Sequence, residues 1–151
     1  MDPFLQKEKY MVIAKDNKKL SIKVVGYEFP DAKSDGNGFD YDANWLNCEV
    51  CYTEGKKEKK YIAPCILTDE LETIVFMLEE LRDGKCDSYL SNFVESYLII
   101  AVDRAGENFL FTVKFIDDTN TMHSVTSVVD EKRMGEIIND LQEDLITFPK
   151  R

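Results

Sequence analysis

Phe109, Phe111, Val113 and Phe115 occupy alternate positions of one run, with Thr112 and Lys114 on the other face. A period of two sends neighbouring side chains to opposite faces of an extended chain, so this run buries its aromatics together only as a strand lying on a core. Leu20, Ile22 and Val24 alternate with Ser21 and Lys23 in the same way. Runs at 10–14, 45–52, 61–65, 97–102 and 123–129 read as further strands, and Tyr89 with Phe93 suggests another. Turns at Gly55 and at Asp103–Asn108 are short enough to make the pairing mostly antiparallel.

Two stretches break this period. Leu71, Ile74, Val75, Leu78 and Leu81 keep helical spacing, with Thr68 or Asp69 as the expected cap and Gly84 as the stop. Met134, Ile137, Ile138, Leu141 and Leu145 form a second stripe after Asp130, the expected cap. The expectation is an α+β fold, a mostly antiparallel sheet of about 7–8 strands with two amphipathic helices at about 69–84 and 130–146. The 151 residues fit one domain, with 1–9 as a loose lead-in.

The chain carries 29 acidic and 19 basic side chains, a net charge of −10, which disfavours direct binding of nucleic acid because phosphate contacts need clustered cations. An acidic surface favours either solubility or a basic partner. No apolar run approaches the roughly 18–20 residues of a membrane helix, and the first residues lack a signal-peptide pattern, so a cytoplasmic location is expected.

Candidate chemistry is sparse. Asp35-Gly36-Asn37-Gly38 echoes an EF-hand loop, but in register its first ligand is Lys33 and its twelfth is Asn44. A cation site outside the EF-hand pattern would draw on Asp31, Asp35, Asp40 and Asp42. Cys48 and Cys51 form a C-x-x-C inside a predicted strand, where an odd separation points the two sulfurs to opposite faces. With Cys65 and Cys86 they read as free thiols. His123, the one histidine, has no nucleophile motif beside it and reads as structural. No catalytic residues, cofactor or metal ligands are assigned. The four lysines of Lys56–Lys60 read as a solvated hairpin tip that discourages edge pairing.

The acidic groups cluster instead. Glu28, Asp31, Asp35, Asp40 and Asp42 share one loop region with Phe39 and Tyr41, and Trp45 stands at its exit. Aromatics ringed by acids suit a protein interface, so Glu28, Asp31, Asp35, Asp40, Tyr41 and Asp42 are the expected partner-binding residues. Trp45 itself is read first as filling the core beneath the loop.

Three stretches carry a family resemblance: Gly26-Tyr27-Glu28-Phe29-Pro30, Asp42-Ala43-Asn44-Trp45-Leu46 opening a strand, and the closing Leu145-Ile146-Thr147-Phe148-Pro149-Lys150-Arg151. With the helix ending near Gly84 and the segment Phe93-Val94-Glu95, their order resembles the WapI family of bacterial immunity proteins. The resemblance implies a cytoplasmic antitoxin that binds the C-terminal domain of a large secreted or wall-associated toxin and occludes it stoichiometrically. In the founding case that domain is a nuclease acting on tRNA. It implies no enzyme and carries over no binding residue. The alternatives are a small metal- or ligand-binding protein or enzyme using the aspartate loop 31–42, or an interaction protein with a partner other than a toxin.

Overall fold

A computed structural model describes residues 11–34, 36 and 38–151. The lead-in 1–9, the strand start at Tyr10, and Asp35 lie outside the described residues. The first half runs β1 (Met11–Lys15), β2 (Lys18–Tyr27), α1 (Tyr41–Asn44), β3 (Trp45–Glu54), β4 (Lys57–Leu67) and α2 (Thr68–Arg82). The second runs β5 (Ser88–Leu90), β6 (Leu98–Ala105), β7 (Asn108–Ile116), β8 (Met122–Val129) and α3 (Glu131–Thr147).

The α+β class holds, and the strands are antiparallel. They form two four-stranded sheets, β1-β2-β3-β4 and β5-β6-β7-β8, where one sheet was expected. The reason lies in α2: it takes the chain off the β4 edge and across the core, so β5 starts a new sheet. Splitting also lets both sheets turn an apolar face toward one core, which a single twisted sheet of eight strands does poorly. The inward residues of β7, Phe109, Phe111, Val113 and Phe115, are all buried, as their alternation requires. Leu20, Ile22 and Val24 face them from the first sheet, with α2 and α3 packed against each other beside them. Truncating fully buried Phe111 to Ala would cost about 3–5 kcal/mol, the usual range for such a void.

Local differences from the pattern have local causes. Neither Thr68 nor Asp69 caps α2. Leu67 holds the cap position, its N–H answered by Glu70 Oε1 at 2.9 Å, because the Thr68 hydroxyl is drawn to Asn44. Asp130 caps α3 as expected, accepting from Arg133 N at 2.7 Å. Strand β5 stops at Leu90 and leaves Phe93 in a loop. Strand β6 runs through Ala105, so the turn shrinks to Gly106 and Glu107, with Gly106 at φ +64°.

Candidate functional site

The three stretches that carry the resemblance converge at one end of the first sheet. Asn44, fully buried at the end of α1, uses its whole hydrogen-bonding capacity there. Its Nδ2 donates to the carbonyls of Asp40 (2.7 Å) and Arg151 (2.9 Å). Its Oδ1 accepts from Arg151 N (2.9 Å) and the Thr68 hydroxyl (2.7 Å). The Arg151 guanidinium donates to the carbonyls of Ala43, Pro30 and Phe29, each at 2.8 Å, and lies 3.7 Å above the Tyr27 ring. Tyr27 in turn donates to Pro149 O at 2.5 Å and meets Phe148 edge-on. One planar fork of donors thus fixes these three carbonyls, that of Phe29 also accepting from Ala32 N at 3.1 Å.

This knot presents the acidic loop. Phe29 is 45% exposed and Tyr41 53%, while Asp31 and Asp42 are exposed and Glu28 half-buried. Asp40 differs from its neighbours: its carboxylate caps α1, accepting from Ala43 N at 3.3 Å. The Phe39 ring packs edge-on against Tyr41, with the Lys150 ammonium 5.2 Å from its centre. Asp31, Tyr41 and Asp42 are thus exposed and Glu28 half-buried, while Asp40 has a structural task. Among the described residues no group of three His, Cys, Asp or Glu side chains is placed to hold a metal ion.

Trp45 corrects an expectation. It does not fill the core; it is half-buried on the outward face of β3, alternating with fully buried Leu46. The register explains this. Leu46 pairs with Ile66 on the inward side, and bulges after Val24 and Leu46 bend the sheet beside Trp45, leaving Val25 exposed as well.

A second polar cluster lies at the other end of the molecule, and spacing in the sequence gave no sign of it. Asp117, just past β7, is buried, with Oδ1 accepting from Thr119 N (2.8 Å), the Thr119 hydroxyl (2.6 Å) and Thr121 N (2.9 Å). Its Oδ2 meets Tyr61 of β4 at 3.2 Å and His123 Nε2 at 2.8 Å. The Thr119 and His123 hydrogen bonds, reinforced by the backbone amides, hold this carboxyl well below the usual carboxylate range. Facing an ionised acceptor, His123 donates from Nε2, and its ring lies tilted by 38° against that of Tyr52 with centroids 4.5 Å apart. These hydrogen bonds tie β4 to the β7–β8 loop through one carboxylate. The signal that would have revealed it is Asp117-Asp118-Thr119-Asn120, an Asx turn with Asn120 at φ +62°.

The cysteines behave as the strand geometry requires. Cys48 faces the core and Cys51 the opposite side, and all four thiols are free. A hydrogen bond with Cys65, and then burial, push the Cys48 thiol well above its usual range.

A model of the immunity protein WapI-like family matches residues 11–149, nearly the whole chain. The chain belongs to that family. It is a family of immunity proteins, and three of the stretches that carry the resemblance meet here in the knot around Asn44 and Arg151. No curated protein matches the chain. Among solved structures, WHY1 from Arabidopsis thaliana superposes with a TM-score of 0.50 at 13% identity, covering 95% of this chain and 92% of that one. That likeness is one of fold alone. No helix among the described residues is long and apolar enough to cross a membrane.

Proposed function

We propose that this chain binds the C-terminal domain of a cognate secreted toxin, one to one, and blocks its active site, the toxin being a basic nuclease. It acts as an inhibitor with no chemistry of its own, in the cytoplasm that the toxin enters. Family membership across residues 11–149 carries the reading. The knot supports it from the structure: Arg151 fixes the backbone at Phe29, Pro30 and Ala43, and Phe29, Tyr41, Asp31 and Asp42 are exposed near these points. Exposed aromatics on a fixed backbone cost little ordering entropy on binding, and carboxylates near them steer a basic partner.

The test is co-expression with the C-terminal domain of a large secreted protein encoded beside this chain, where the locus has one. A stable one-to-one complex in which the domain loses its toxicity is the expected result. A toxic domain that neither co-purifies with the chain nor is silenced by it would overturn the reading.

A further inference from the structure

One concavity lies away from the acidic loop, against the outer strand of the first sheet. A groove of about 500 Å³ runs between β4 and the second sheet, with Ile62, Tyr97, Phe115 and Ile116 in its walls. Ile62 is 66% exposed and Tyr97 45%, so the lip of the groove is apolar and open to solvent. Strand β4 is the outer strand of its sheet, paired with β3 on one side and with no strand on the other.

The hairpin decides which backbone groups face outward. Glu54 pairs with Lys57 across the two-residue turn Gly55-Lys56, with Gly55 at φ +61°. The closing pair of such a turn is hydrogen-bonded, so alternation directs the N–H and C=O of Glu58, Lys60 and Ile62 away from β3. Among the described residues nothing pairs with this outer edge. A bare row of donors and acceptors beside an apolar groove is a template for one more strand.

Charge selects what that strand can be. In a chain of net charge −10, lysines gather at this tip: Lys18 and Lys57 flank Glu54 in register, and Lys59 and Lys60 follow. Lys60 pairs with Glu58 at 3.6 Å, whereas Lys18, Lys57 and Lys59 form no ion pair with any described carboxylate. Such lysines repel a second copy of the same edge and attract an acidic one.

We propose that the outer edge of β4 receives an extended strand of the toxin domain, apolar where it crosses Ile62 and Tyr97 and acidic where it passes Lys57, Lys59 and Lys60. This rests on the immunity reading above and adds a second contact to it. The strand's acids and the toxin's basic face then meet opposite charges at different places, which fixes one docking orientation.

Amide hydrogen exchange, read on the chain alone and in complex with the C-terminal toxin domain of the co-expression test, tests the proposal. Alone, the Glu58, Lys60 and Ile62 amides exchange rapidly. In the complex their protection rises at least about tenfold, as new backbone hydrogen bonds require. Ile62→Pro removes one outward N–H at an edge position that tolerates proline, and loosens the complex by about tenfold. Should that variant fail to fold, the surface double variant K57E/K60E carries the same expectation. A tight complex with unprotected β4 amides overturns strand docking and leaves the immunity reading standing. No complex with the unaltered chain overturns both.

Discussion

At one end of the first sheet Asn44 and Arg151 tie the closing segment to the 28–42 loop; at the other, Asp117 ties β4 to the β7–β8 loop. Both clusters bury polar groups to join segments far apart in the chain. The first rests on a neutral amide and a permanently charged guanidinium, neither of which changes charge as pH falls from neutral. The second hangs on one carboxylate that must stay ionised. Two staples of similar mechanical purpose therefore differ in how they fail.

Asn44→Ala is the sharpest way to break the first. It deletes four hydrogen bonds at a fully buried site and leaves the Thr68 hydroxyl and both Arg151 backbone groups without their partner. The expected loss is about 3 kcal/mol, since orphaned buried groups add to the bonds themselves. Urea unfolding measures it, with Trp45 fluorescence as a local probe of the adjoining loop. A loss below about 0.5 kcal/mol would mean that the knot is replaceable by water.

Asp117→Asn breaks the second, and its signature is pH dependence. The native carboxyl titrates below its unfolded value, so its contribution is fully present above about pH 4 and is lost as pH falls below that. The variant should melt lower at neutral pH and lose stability less steeply under acid. Parallel melting curves for the two proteins from pH 6 to pH 3 would show that the cluster does not anchor the sheets.

These staples were not equally legible. The strands around Phe109–Phe115 and both long helices follow from period alone, because each buries one face on the core. Asn44 and Arg151 stood inside stretches singled out for resemblance, yet their pairing spans 107 residues and no local pattern encodes it. Asp117 was missed because its partners, Tyr61 and His123, come together only through packing of the two sheets. The division into two sheets was hidden for the same reason. Trp45 was read inward on average behaviour, whereas strand parity had already placed it opposite Leu46; parity was the stronger guide. In the loop, Tyr41 and Asp42 are exposed, whereas the cap formed by Asp40 needs the α1 turn, which the sequence did not announce.

Asp144 sharpens the contrast with a smaller effect of opposite sign. It sits where α3 enters the knot, its carbonyl accepting from Phe148 N at 2.7 Å. Burial, and then the charges of Asp140 and Glu143, push its carboxyl up to about 6, against some relief from Lys23. A native pKa raised above the unfolded one means the folded state binds the proton more tightly. Stability from this group therefore rises as pH falls from about 6 toward 4, and is absent above 6. Asp144→Asn should stabilise the protein near pH 7 by about 1 kcal/mol once solvent screening is allowed for, and should remove that slope. Equal stability of the two proteins at pH 7 and at pH 5 would place Asp144 in water.

The smallest effect on stability, and the most direct on function, belongs to the loop that the knot presents. Asp31 and Asp42 are exposed and make no hydrogen bond that the fold needs, unlike Asp40. The pair Asp31→Asn and Asp42→Asn should change unfolding free energy by less than about 0.5 kcal/mol. If these carboxylates steer a basic toxin, the same pair should slow association several-fold at low salt and leave dissociation nearly unchanged. The difference between variant and parent should shrink as ionic strength rises past about 0.15 M, where exposed charges are screened beyond about 8 Å. Stopped-flow mixing with the toxin domain at two salt concentrations measures both rates. Unchanged association at low salt would move the contact off this loop and onto the β4 edge, where lysine and exposed backbone take over the recognition.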